Sequence, residues 1–278
     1  FSSSGTSMLE NTVLNKPTKN KDAMNHYWNR AEVIEDFKIC WISREASILA
    51  RKEVLTGKAK FGITGDGKEV PQVAMARAYK KGDWRSGYYR DQTFMFALKL
   101  ATVEQYFAQL YADTENDPWS GGRQMNNHFA TPLMDKNGEW TPHKDLLNIS
   151  AGVSCTAGQM ARSLGLALAS KKYKAVEALQ NTPFSNKGNE VCFVTIGDAS
   201  TSEGVFWETL NAAGVMQVPL AVSVWDDGYG ISVPVEYQTT KGSISEVMKG
   251  FQYDENKKSG IRIYKARGWD YPTLRQLY

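Results

Sequence analysis

From Arg30 to Thr56, apolar residues recur near helical spacing at Val33, Ile34, Phe37, Trp41, Ile48, Leu49 and Leu55. This pattern predicts one long helix, which Gly57 stops. Val70 to Lys80 predicts a second helix after a Gly-rich loop from Lys58 to Lys68. Thr102-Val103-Glu104-Gln105 is a capping-box pattern that opens a helix through Tyr111. Ala157 to Tyr173 predicts a helix whose small residues (Gly158, Ala161, Gly165, Ala167, Ala169) suit close packing. Asp117 to Leu147 has no periodicity and carries Gly121-Gly122, Pro118, Pro132 and Pro142, as functional or mobile loops often do. Thr239 to Glu246 predicts a loop, Ile261 to Tyr264 a strand, and Tyr271-Pro272-Thr273-Leu274-Arg275 the opening of a helix.

Two short apolar runs, Val191–Ile196 and Leu220–Val224, predict buried strands. Between them, Ser202 to Met216 predicts a helix with Val205, Phe206, Leu210 and Val215 on its apolar side. Such a β-α-β unit puts both strand ends on one edge of a parallel sheet, where open α/β sheets bind ligands. Asp198 follows the first run, in Gly197-Asp198-Ala199-Ser200. Asp227 follows the second, in Trp225-Asp226-Asp227-Gly228-Tyr229. Two carboxylates at one edge repel unless a cation lies between them. A hard divalent ion such as magnesium suits oxygen ligands and keeps positions open for a phosphate. An isolated Gly-Asp would more often cap a helix or brace a turn. The second Asp, at the matching place in the same unit, reverses that preference.

Composition narrows the classes. The chain has 278 residues, enough for one large α/β domain or two small ones, and 42% of them are hydrophobic, so a sizeable core is possible. With 33 basic against 30 acidic residues and no basic stripe interleaved with aromatics, nucleic acid is not indicated as a partner. No apolar run is long enough to predict a membrane span. Cys40, Cys155 and Cys192 form neither a zinc pattern nor a disulfide framework and read as buried free thiols of a reducing cytoplasm. Residues 1–29 read as a flexible polar tail and 30–278 as one α/β domain, with the last helix cut off as in a fragment.

The residues together resemble the alpha-type decarboxylating component of the 2-oxo acid dehydrogenase complexes, over about Ile39 to Tyr278. Gly197-Asp198-Ala199 and Asp226-Asp227-Gly228-Tyr229 resemble the family's thiamine diphosphate motif, at the family's spacing. Ser202-Glu203-Gly204 and Gly230-Ile231-Ser232-Val233-Pro234 also match. Tyr89-Arg90-Asp91 looks like the family's diphosphate-contacting segment. Gly122-Arg123-Gln124-Met125, with His128 after it, is similar to the branched-chain members. The wording around Ser200–Gly204 and Trp225–Tyr229 is similar to bacterial forms that join alpha and beta parts in one chain.

The resemblance implies a Rossmann-like, doubly wound, mostly parallel sheet flanked by helices, the thiamine diphosphate-binding fold. It implies magnesium held by Asp198, Asp227 and the Tyr229 carbonyl, with the N–H groups of Ala199 and Ser200 facing a phosphate. Arg90 would pair with the diphosphate and Tyr89 would donate to it, while Ser154 and Thr156 would lie along the pyrimidine and thiazolium. His128 is a substrate-side candidate. The implied reaction is oxidative decarboxylation of a 2-oxo acid, branched-chain by the Gly122–Met125 element, with acyl transfer to a lipoyl group. Implied partners are a beta-type component, separate or fused, and the lipoyl acyltransferase component, in an α2β2 assembly or a homodimer of fused chains. The bacterial cytoplasm is the implied compartment, with the mitochondrial matrix as the alternative. The chain departs from the family at Asp227, usually Asn; at Trp225, often a phosphate-binding Arg; at Thr156, usually a bulky aliphatic; and at Tyr88, in place of Gln.

Bland readings stand beside these. Arg90 could form a surface ion pair with Asp91 or a nearby Glu, His128 could be structural, and Cys155 could be a packed thiol. A non-catalytic scaffold of the same fold and a magnesium-dependent phosphohydrolase remain as functional alternatives.

Overall fold

The computed structural model describes residues 29–278. The expected tail, residues 1–29, lies outside the described residues apart from its last position, Asn29. The body begins with α1 (Arg30–Leu55), capped by the Asn29 side chain on the Glu32 N–H at 2.7 Å. Next come α2 (Glu69–Ala78), β1 (Trp84–Ser86), α3 (Gln92–Ala97) and α4 (Val103–Leu110). The capping box at α4 forms in both directions between Thr102 and Gln105. Beyond the long irregular segment lie β2 (Asn148–Ile149), α5 (Gln159–Ala175), β3 (Cys192–Gly197), α6 (Gly204–Met216) and β4 (Leu220–Trp225). A small hairpin pairs β5 (Tyr229–Gly230) with β6 (Val233–Pro234), and α7 (Ile244–Val247) and α8 (Tyr271–Leu277) complete the chain.

The main sheet is wholly parallel, in the order β2-β1-β3-β4. β3 is buried along almost its whole length, as a strand covered on both faces must be. Phe193 packs on one face with Met75, Tyr79, Phe94 and Trp225. Val194 and Ile196 pack on the other with Met160, Phe206 and Leu210. Helices therefore cover both faces, and the expected doubly wound α/β fold holds. Because β2 and β3 lie on opposite sides of β1, the chain changes direction between β1 and β3. That switch opens a crevice at the carboxyl ends of the strands.

Several expectations are corrected. Ile261–Tyr264 is not a strand: Ile261 makes one bridge, to Gln252, and no further pairing follows. Its alternation is real, with Ile261 and Ile263 against the second core and Arg262 on Glu255 and over the Tyr253 ring, but it adds no strand to the sheet. Thr239–Glu246 is not all loop, since a 3-10 turn at Thr240–Gly242 leads into α7. Val215 points outward, 74% exposed. In α5 the packed small residues are Ser163, Ala167 and Ser170, whereas Ala161, Gly165 and Ala169 are exposed. Cys192 is buried, but Cys155 is exposed and Cys40 half-buried, so neither matches the expected packed thiol.

The largest difference is at α1. Its buried side carries Asp36, Ser43, Ala46, Ser47, Ala50 and Glu53, while Phe37, Trp41, Ile48, Leu49 and Leu55 are exposed. Small residues allow close approach to α2 and α3, and each polar group finds a partner. Ser43 meets Thr93 at 2.6 Å, Gln92 donates to Ser47 at 2.6 Å, and Arg77 pairs with Asp36 at 2.7 Å. Among the described residues no helix is long and apolar enough to cross a membrane.

Candidate functional site

All four strands run the same way, so the segments after β1 (87–91), β2 (150–158), β3 (198–203) and β4 (226–228) share the carboxyl edge. Asp198 follows β3 directly, with its N–H on the Trp225 carbonyl at 3.3 Å, and is buried. Its Oδ2 accepts from the Gly228 N–H at 3.1 Å, and Asp227 Oδ1 accepts from the Tyr229 N–H at 3.2 Å. The β3 and β4 ends are thereby stitched together. Burial, with help from Asp227 and then Asp226, pushes the Asp198 carboxyl up to about 6. A site that raises a carboxylate in this way is one that a cation would relieve.

Among the described residues no three His, Cys, Asp or Glu side chains are grouped to hold a metal. A divalent ion here would rest on two carboxylates and a backbone carbonyl, leaving positions for phosphate oxygens, and that donor set suits magnesium. Ala199 and Ser200 lie not in α6 but in a 3-10 turn, Ala199–Ser202, that precedes it. Tyr229 is in the β5–β6 hairpin, held close to that turn: a Cβ on Gly230 would lie 2.6 Å from the Ala199 Cβ.

The segment after β1 enters from the other side of the crevice. Tyr88 is buried, and among the described residues its hydroxyl has no hydrogen-bond partner. It faces Gly197, where a Cβ would sit 3.6 Å away. An orphaned buried donor beside Asp198 suits an anionic ligand. The Tyr89 ring lies against Tyr88, centroids 4.9 Å apart, and Arg90 lies 5.7 Å over it. Arg90 donates to the Thr64 carbonyl at 2.5 Å. It does not pair with Asp91, which is fully buried on Arg85; the surface ion-pair reading of Arg90 is thus corrected.

His128 is almost fully buried and its Nε2 meets Ser154 Oγ at 2.7 Å, so two separately nominated residues form one pair. Burial lowers the His128 pKa below 6.5. Ser154, Cys155 and Thr156 are exposed on the loop after β2, which Ser150 ties to β1 through the Arg85 carbonyl at 2.9 Å. Gly122, in the Gly122–Met125 element, donates its N–H to Asp117 at 3.0 Å.

Two residues escaped the sequence reading as site members. Tyr88 stood out there only as a departure from a family pattern. Lys68, at the end of the Gly-rich loop, reaches Asp227 Oδ2 with its Nζ at 2.7 Å. The run Gly65-Asp66-Gly67-Lys68 before a helix was the available signal for a loop near an anion.

Comparison with known proteins identifies the family. Residues 38–253 match the family model for the dehydrogenase E1 component. The chain is 30% identical to the 2-oxoisovalerate dehydrogenase subunit alpha of Bacillus subtilis, over 76% of this chain and 57% of that protein. It is 26% identical to the pyruvate dehydrogenase E1 component subunit alpha of Acholeplasma laidlawii, over 87% of this chain and 62% of that one. It is 25% identical to the 3-methyl-2-oxobutanoate dehydrogenase subunit alpha of Mycobacterium tuberculosis, over 75% and 49%. The chain thus spans about half to three-fifths of the length of these relatives.

Proposed function

The chain belongs to the dehydrogenase E1 component family, and from that premise we propose that it carries the metal–diphosphate half-site of a thiamine diphosphate- and magnesium-dependent 2-oxo acid dehydrogenase. The observation that carries this reading is that Asp198 and Asp227 follow adjacent parallel strands at the carboxyl edge, with Asp198 bonded to the Gly228 N–H and the Tyr88 hydroxyl, partnerless among the described residues, near Gly197. Asp198, Asp227 and the Tyr229 carbonyl would hold the metal. The Ala199 and Ser200 N–H groups, Tyr88, Tyr89 and Arg90 would face the diphosphate. Ser154 and Thr156 would lie along the rings of the cofactor, and His128, tied to Ser154, would stand on the substrate side.

When bound, the thiamine ring provides the electron sink for decarboxylation. This chain's own residues would bind and orient: the two carboxylates would hold the metal, and the donors around the crevice would hold the phosphates. A branched-chain 2-oxo acid is the proposed substrate, supported by the Gly122–Met125 element and by relatives named for 2-oxoisovalerate and 3-methyl-2-oxobutanoate. A lipoyl group is the proposed acyl acceptor, and a beta-type component the proposed partner that completes the active site.

Calorimetric titration with thiamine diphosphate tests this. Binding should require magnesium and should vanish in Asp198→Ala. The chain by itself should show no decarboxylation. Turnover by the chain alone, or cofactor binding indifferent to Asp198, would sink the half-site reading.

A further inference from the structure

Lys68 stands at the start of α2 and is buried, with its side chain only 9% exposed, yet its ammonium emerges beside Asp227, which is 51% exposed. A lysine this buried needs a partner. The carboxylates next to it in sequence are already committed. Glu69 takes Arg44 in a two-point pair at 2.7 and 2.9 Å and also the Gly67 N–H, while Asp66 takes Arg51 at 2.8 Å and the Thr64 hydroxyl. The loop is also fixed in position. Gly65 donates to the Gln92 side chain at 3.1 Å, Arg90 donates to the Thr64 carbonyl, and a Cβ on Gly65 would lie 2.5 Å from the Arg90 carbonyl oxygen. Lys68 and Arg90 are thereby brought to the same edge as Asp198, Asp226 and Asp227. The one ion pair formed by those three carboxylates, among the described residues, is the one to Lys68.

We propose that Lys68 is a further binding residue of this site, pairing with Asp227 in the metal-free protein and turning to a phosphate oxygen when a divalent ion takes that carboxylate. The inference rests on the metal–diphosphate reading above. Its physical basis is exchange between two counter-ions. A divalent cation bound by both carboxylates removes the need for the ammonium at Asp227. The four-carbon stem of a lysine lets its head move while the loop stays fixed. The anion that arrives with the metal then offers a stronger, charge-assisted partner. A lysine serving only as a prop would behave differently, because its loss would loosen Asp227 and weaken every ligand of the site.

The test compares the 278-residue chain with Lys68→Met, Lys68→Gln and Lys68→Arg by calorimetry, after circular dichroism has established that each is folded. Magnesium alone is one titrant; inorganic pyrophosphate at saturating magnesium is the other. Lys68→Met and Lys68→Gln should bind pyrophosphate roughly tenfold or more weakly, the loss expected for one charged hydrogen bond, yet bind magnesium alone more tightly. Lys68→Arg should keep most of the pyrophosphate affinity. Unchanged pyrophosphate binding in the folded Met or Gln variant overturns the inference. So does weakening of both ligands together, which makes Lys68 a prop for Asp227. Failure of the unaltered chain to bind pyrophosphate with magnesium instead removes the functional reading, and the inference with it.

Discussion

Asp91 and Arg85 form an ion pair in which neither side chain is exposed at all. The same carboxylate accepts from the Thr195 hydroxyl and, at 3.2 Å, from Trp225 Nε1. One residue just past β1 therefore ties β1 to β3 and β4 directly beneath the candidate site. Trp225 is committed to this tie and to the core. Removing one partner of a buried pair leaves an uncompensated charge. Asp91→Ala should lower the unfolding free energy by about 3–5 kcal/mol. Asp91→Asn, which preserves shape but not charge, should keep most of that loss. Urea denaturation measures both, and a loss below about 1 kcal/mol, the scale of an exposed pair, would contradict the account.

Asp198 gives the site a pH dependence with a definite sign. Its folded pKa lies above the ordinary value, at about 6, through burial and the neighbouring carboxylates. Its contribution to stability is therefore fully present below about pH 4 and is lost as pH rises through about 6. Magnesium competes with that proton, so affinity for the metal should rise roughly fivefold between pH 5 and pH 6, about twofold more by pH 7, and level off above that. Calorimetry across this range checks the prediction, with Asp198→Asn as the control that should flatten the profile.

His128 shows the opposite sign. Burial lowers its pKa, so the neutral imidazole faces Ser154 at pH 7. Stability from this group is present above about pH 6.5 and falls as pH drops below it, because the unfolded chain takes up the proton first. An NMR titration of the His128 ring should give a midpoint below 6.5. A midpoint at or above that value would show that the pocket does not disfavour the cation.

The outward face of α1 predicts that stability and assembly separate. Phe37 is 64% and Trp41 60% exposed, beyond what a lone surface aromatic requires. Changing either to Ser should move the stability of the isolated chain by no more than about 0.5 kcal/mol. If this face meets the beta-type component, the double variant should fail to co-purify with it while remaining folded. Retention of the complex would clear α1 of that role.

The sequence by itself determined the elements whose signals are local. The Thr102–Gln105 capping box, the β3-α6-β4 unit and the two Asp residues at its strand ends were all legible, because caps, periodicity and strand-end polarity act over a few residues. β1 and β2, the strands that create the switch point, were not, since three and two residues carry no usable alternation. Periodicity found α1 but could not say which of its faces the body would cover. Close packing on α2 and α3 chose the small, hydrogen-bonded side over the apolar one. Only the tertiary structure brought Lys68 to Asp227 across 159 residues, joined His128 to Ser154 and buried Asp91 on Arg85. These pairings depend on chain crossings that no local pattern encodes.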